Sequence, residues 1–135
     1  MPPKITGIAH VELSVSDLDA SVAWYCRLLG ARDAFRARSD ARGFRACAIV
    51  EPETGTVIAF TQHDAPEDGA FTPRRTGLDH LSFAVADAAA LEAWREHLDL
   101  LRIDHDPIDD QGFAPGLNLR DPDGIALEFY VLRRR

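Results

Sequence analysis

A chain of 135 residues, 46% hydrophobic and 27% charged, is long enough to bury a core and has the size of one globular domain. Its formal charge of −7 excludes the basic surface that nucleic acid or an anionic membrane requires, so neither is expected as a partner. No apolar run approaches the roughly 20 residues that span a bilayer, and Met1-Pro2-Pro3-Lys4 lacks the apolar segment of a secretion signal, which points to a cytoplasmic address. The one basic run, Arg133-Arg134-Arg135, reads as a solvated tail.

From Ile8 to Val15 polar and apolar residues alternate, with Val11, Leu13 and Val15 on one face, which predicts a strand. Asp17 stands as N-cap to a helix whose apolar spacing runs from Ala20 to Leu29 and which Gly30 closes. Phe44 to Val50 and Thr56 to Gln62 read as strands. His63 to Arg75, with Pro66, Gly69 and Pro73, has no periodicity and reads as a connection. A strand from Leu78 to Val85, the cap Asp87 and a helix through Leu98 follow, then strands from Leu117 to Arg120 and from Ile125 to Leu132. The last two are joined by Asp121-Pro122-Asp123-Gly124, in which Pro presets φ and Gly accepts a left-handed position. Cys26 and Cys47 fall in the first helix and in a strand without CxxC or Cys/His spacing, and are expected to be buried thiols.

The chain repeats itself. Thr6-Gly7-Ile8-Ala9-His10 lies over Thr76-Gly77-Leu78-Asp79-His80, an offset of 70, and Val15, Asp17, Ala20, Ala23, Trp24 and Leu28 continue onto Val85, Asp87, Ala90, Ala93, Trp94 and Leu98. Near the end of each copy, at an offset of 69, Gly55 to Phe60 lies over Gly124 to Phe129, so that Ala59 stands where the second copy has Glu128. Each copy reads as strand, helix, then three strands. The expected organisation is one α+β domain over 1–135, made of a βαβββ module at 5–63, a linker at 64–75 and a second module at 76–132.

Side chains alternate across a strand, so His10 shares a face with Ile8, Glu12 and Ser14, His80 with Leu78, Ser82 and Ala84, and Glu128 with Ala126 and Tyr130. The opposite faces are almost wholly apolar and belong under the helices. A sheet face that carries His, Glu and hydroxyl groups must meet water or a ligand, because unpaired ionised groups are costly to bury. Two imidazoles and a carboxylate are a three-ligand set that leaves metal positions open for water or substrate. A lone histidine at a strand start is usually a surface residue. His10 and His80, however, hold equivalent places in two copies, and a pseudo-twofold arrangement would bring both into one central cleft with Glu128. Glu12, about 7 Å from His10 along the strand, is either a general base beside the metal or a solvent-facing carboxylate. His63 is either an acid/base group or simply exposed.

These features together resemble the vicinal-oxygen-chelate superfamily, which includes glyoxalase I, bleomycin and fosfomycin resistance proteins and the type I extradiol dioxygenases. The carriers are the paired Gly-x-x-His strand openings, the strand-to-helix passages that begin at Val15 and Val85, and Asp121-Pro-Asp-Gly-Ile-Ala-Leu-Glu128. The resemblance implies a curved mixed β-sheet cleft and metal ligation from the first and last strands of each module, at the positions of His10, Ala59, His80 and Glu128. Ala59 cannot ligate, which counts against a typical glyoxalase I and leaves open a displaced ligand at His63, on the same face as Ala59. The set His10, His80 and Glu128 looks like that of extradiol dioxygenases and of fosfomycin-modifying enzymes. Departures stand against each assignment, and for the fosfomycin-modifying enzymes they include the lack of a basic cluster near the ligands of this acidic chain. Asn118 takes the place of a tyrosine expected ten residues before the glutamate, and Asp109, Asp110 and Gln111 lie near where a dioxygenase would carry a catalytic histidine.

The resemblance therefore implies an enzyme that uses one divalent metal ion (Fe, Mn, Ni or Zn) on a small oxygen-chelating substrate, by a dioxygenase-like or lyase/isomerase reaction. Ser82, Asn118 and Tyr130 would line its substrate pocket, and the family habit implies a homodimer. The alternative is a non-catalytic protein that sequesters an antibiotic or metabolite, as bleomycin-resistance proteins do.

Overall fold

The computed structural model describes residues 1–110 and 113–132; Gln111 and the tail Arg133-Arg134-Arg135 lie outside the described residues. The chain divides into two units, Met1–Asp68 and Gly69–Arg135.

In the first unit the alternation of Val11 to Val15 does what the pattern asks. Leu13 and Val15 are buried while Glu12 and Ser14 are exposed. The strand itself, β1 (Val11–Ser14), is shorter than the alternation. Its parallel partner β4 (Val57–His63) meets it from the pair Val11 with Ile58 onward, so the residues ahead of it find no ladder and Ile8 is left exposed. The helix α1 (Leu18–Leu29) begins where Asp17 accepts the Ala20 backbone N–H, and Gln62 Oε1 takes the Leu18 N–H at 2.8 Å. It ends at Gly30, whose φ of 64° is the left-handed conformation that glycine adopts without penalty.

The inner face of α1, with Leu18, Val22, Tyr25 and Leu28, packs on the sheet face that carries Leu13, Ile58 and Phe60; the Tyr25 and Phe60 rings are 4.7 Å apart between centroids. Trp24 meets Tyr25 edge-on and is a packing residue. The sheet is completed by β2 (Arg32–Ser39) and β3 (Phe44–Val50), in the order β1-β4-β3-β2, with only the β1–β4 pair parallel. Cys47 is buried on β3 as expected, whereas Cys26 is only half-buried.

The sequence pattern does not show β2, and the reason is physical. Almost every residue of this edge strand is exposed, so it lacks the apolar alternation that marks a half-buried strand. Its charges are tied instead in ion pairs, Arg36 with Asp33 and Asp19, and Arg38 with Asp40 and Asp64. A charged, bulged edge also discourages pairing with other chains.

The second unit repeats the plan with β5 (Leu81–Val85), α2 (Ala88–Leu100), β6 (Gly116–Arg120) and β7 (Ala126–Val131). The order is β5-β7-β6, with β5 parallel and β6 antiparallel to β7. Asp87 caps α2 by accepting the Ala90 N–H at 2.8 Å. Leu98, the counterpart of Leu28, is fully buried, and Trp94 stacks on Phe129 at 4.1 Å. The buried Asp121 carboxylate accepts the backbone N–H groups of Asp123 and Ile125, which closes the turn into β7. Where the first unit has its edge strand, this unit has two isolated bridges, His105 with Leu119 and Asp109 with Gly116. The α+β architecture of two βαβββ modules holds, with one strand of the second reduced to these bridges. No described helix is long and apolar enough to cross a membrane.

Candidate functional site

Strand register decides which candidates share a neighbourhood. In the second unit Ser82, Glu128 and Asn118 form one row across β5, β7 and β6. The Ser82 hydroxyl donates to Glu128 Oε1 at 2.8 Å, and His80, immediately before β5, has its Nε2 3.8 Å from the same oxygen. His80 Nδ1 lies 2.7 Å from Asp79 Oδ1. A carboxylate oxygen accepts, so Nδ1 carries the proton in this contact, and in the neutral ring Nε2 then keeps its lone pair. Tyr130 lies two residues along β7 from Glu128, on the same face, with Gly116 across the β6–β7 pair.

Glu128 can lie over β6 because of what β6 lacks. A Cβ added at Gly116 would stand 3.3 Å from Glu128 Oε2, closer than ordinary van der Waals contact. The glutamate side chain is 19% exposed against 46% for His80, so the carboxylate is the better enclosed of the two.

The equivalent row of the first unit is Glu12, Ala59 and Ala48, across β1, β4 and β3. Where the second unit has a hydroxyl on the first strand and a carboxylate on the last, the first has a carboxylate on the first strand and a methyl group on the last. His10 holds the place of His80, immediately before β1, but the residue ahead of it is Ala9 where the second copy has Asp79. His63 is exposed at the far end of β4, four residues beyond Ala59, with its ring edge-on to Phe44. At about 3.3 Å per residue it stands roughly 13 Å along the strand from the Glu12 row.

The second unit thus brings His80, Ser82, Glu128 and Asn118 together, and the first brings Glu12 beside Ala59 but leaves His63 apart. Within neither unit do three His, Cys, Asp or Glu side chains converge among the described residues. Of the three expected ligands, His80 and Glu128 lie together in the second unit and His10 belongs to the first. Sequence reading missed Asp79 and Gly116. The signal for Asp79 was present in the repeat, as the one polar-for-apolar change inside the Thr-Gly-x-x-His opening.

The donor chemistry fits a divalent ion. Imidazole nitrogen and carboxylate oxygen each bind such an ion at about 2.1 Å, so two ligands of one ion lie at most about 4.2 Å apart. The 3.8 Å between His80 Nε2 and Glu128 Oε1 is within that limit.

Comparison with known proteins agrees with the fold. No curated protein matches the chain. Among solved structures, a glyoxylase/bleomycin resistance protein/dioxygenase domain from Frankia sp. EAN1pec is 35% identical, with a TM-score of 0.84 over 96% of this chain and 100% of that one. A glyoxalase family protein from Enterococcus faecalis is 22% identical, with a TM-score of 0.77 over 93% and 97%. The fosfomycin resistance protein FosX from Listeria monocytogenes, complexed with Mn(II) and 1S,2S-dihydroxypropylphosphonic acid, is 15% identical with a TM-score of 0.70 over 96% and 95%, a likeness of fold. The family model of the Glyoxalase/Bleomycin resistance protein/Dioxygenase superfamily matches residues 7–129, nearly the whole chain. With its paired His openings and its Asp-Pro-Asp-Gly turn into Glu128, the chain belongs to that superfamily.

Proposed function

We propose that the protein is a divalent-metal-dependent enzyme acting on a small substrate that presents adjacent oxygens, with His10, His80 and Glu128 as the metal ligands. The observation that carries this reading is the pairing of His80 Nε2 and Glu128 Oε1 at 3.8 Å, each held from behind by another side chain. A bound divalent ion would supply Lewis-acid polarisation of the substrate oxygens.

The chain's own residues do the rest. Glu128 and the two imidazoles would hold the ion, and Asn118, in register with Glu128, offers an amide to a substrate oxygen. Tyr130, two residues along β7, shares that face. Ser82 is engaged with Glu128, so its role is to hold that carboxylate as well as to border the substrate. Glu12, exposed on β1 and paired across the ladder with Ala59, accepts a proton on its carboxylate from the bound substrate. His63, four residues beyond that row, is not needed for this step. Proton abstraction by Glu12 favours a lyase or isomerase reaction, and a dioxygenase would use the same ligands. The protein is proposed to act in the cytoplasm as a homodimer, which sedimentation equilibrium would test.

A second reading, sequestration of an antibiotic or metabolite without catalysis, draws support from Ala59. The first unit's row carries the methyl group of Ala59 where a fourth ligand would stand, with that of Ala48 paired beside it. Elemental analysis of protein purified without chelator, followed by titration with Fe(II), Mn(II), Ni(II) and Zn(II), separates the two. One bound ion per chain, lost in His80→Ala with the fold retained, is the expected result. Absence of stoichiometric binding of every ion would leave the sequestering protein.

A further inference from the structure

The two histidines of the proposed ligand set are equivalent in the repeat and unlike in their support. His80 follows Asp79, whose Oδ1 is 2.7 Å from Nδ1. His10 follows Ala9, which has no side-chain acceptor. A neutral imidazole carries one proton on either nitrogen, and the free ring favours Nε2–H, the tautomer that cannot ligate through Nε2. An acceptor fixed against Nδ1 reverses that preference. Resting on the metal-centre reading above, we propose that Asp79 is a positioning residue that holds His80 as its Nδ1–H tautomer and aims Nε2 at a divalent cation beside Glu128, so that the second unit alone is prepared for the ion.

The geometry supports this at each atom. With Nδ1 tied to Asp79, the other ring nitrogen is the one that faces Glu128 Oε1 at 3.8 Å. Glu128 is braced in turn by the Ser82 hydroxyl on Oε1, and the missing Cβ of Gly116 leaves room for Oε2. Both ligands of the second unit therefore arrive with their orientation set, which lowers the ordering needed when the ion binds. His10 follows Ala9 and has no such side chain ahead of it.

Two measurements test the proposal, and the first needs no metal. Long-range proton–nitrogen correlation spectra of the metal-free, ¹⁵N-labelled protein report the tautomer of each neutral imidazole, with His80 assigned from His80→Asn. The expected spectrum has His80 as Nδ1–H, reverting to Nε2–H in Asp79→Ala while the backbone amide spectrum stays that of the folded protein. A wild-type His80 already in the Nε2–H form overturns the proposal.

The second is Mn(II) affinity by electron paramagnetic resonance. Asp79→Ala is expected to lose about 10- to 100-fold, whereas Asp79→Asn, whose side-chain oxygen still accepts from Nδ1–H, stays within a few fold of wild type. Equal affinity in wild type and Asp79→Ala overturns it. Wild-type protein that binds no Mn(II), Fe(II), Ni(II) or Zn(II) would refute the metal-centre reading and the role of Nε2 toward a cation. The tautomer spectrum would still decide separately whether Asp79 orients the ring.

Discussion

Ser82 donates its hydroxyl to Glu128 Oε1 at 2.8 Å, across the parallel pair of β5 and β7. The bond is solvent-exposed, so its contribution to folding is small, but it removes a rotational freedom from a carboxylate proposed to ligate. Ser82→Ala is expected to leave thermal stability within about 0.5 kcal/mol and to weaken Mn(II) binding by about tenfold. Isothermal titration beside a thermal melt checks both, and an unchanged affinity would sink the supporting role.

Gly116 offers a sharper perturbation. A methyl group there would stand 3.3 Å from Glu128 Oε2, and the atom it meets is the end of a flexible side chain, which can move aside. Gly116→Ala should therefore fold with near wild-type stability while displacing the carboxylate and lowering metal affinity. In Glu128→Ala the same glycine change should have no further effect on binding. A double-mutant cycle of these two positions measures the coupling, and simple additivity would refute it.

How much of this was legible in the sequence depends on where the physics is local. The caps Asp17 and Asp87, the strand Phe44–Val50 and the buried pair Leu28 and Leu98 follow from neighbouring residues and periodicity, and they are found where the pattern puts them. The strand β2 was hidden because ion pairs, with no alternating apolar face, hold it. The ladders at His10 and His80 begin later than the alternation does because ladders need a partner. Register was the other missing quantity. That Glu12 lies beside Ala59, and Ser82 beside Glu128, depends on pairing between strands far apart in sequence.

His105 gives the fold a pH dependence. Its Nδ1 is 2.7 Å from the Asp106 carbonyl oxygen and its Nε2 is 2.7 Å from Asp99 Oδ1, two atoms that only accept, so the ring is held as an imidazolium. The Asp106 carbonyl first, and Asp99 second, raise its pKa above the ordinary histidine value against the opposing effects of burial and of Arg95. Because the folded pKa is raised, this stabilisation is complete below the unfolded value of about 6.5 and is lost as pH rises through the folded value. Urea unfolding from pH 6 to 9 should show stability falling across that window. His105→Gln should flatten the fall, and an equal slope in the variant would refute the assignment.

Cys47 should be inert in the native protein. Burial first, and then the hydrogen bond to Asp33, push its thiol up to about 11, and only the thiolate attacks a disulfide reagent. At pH 8 the native protein is expected to release aromatic thiolate from Cys47 only on unfolding. Half-buried Cys26 should react first. Reaction of both thiols at the same rate in native buffer would contradict the burial of Cys47.

The unequal rows of the two units carry a historical consequence. If a duplication produced this chain, its halves began alike and their rows have since diverged. Glu12→Ser with Ala59→Glu would build in the first unit the hydroxyl–carboxylate pair that the second carries, and would show whether the asymmetry of the two rows matters to binding.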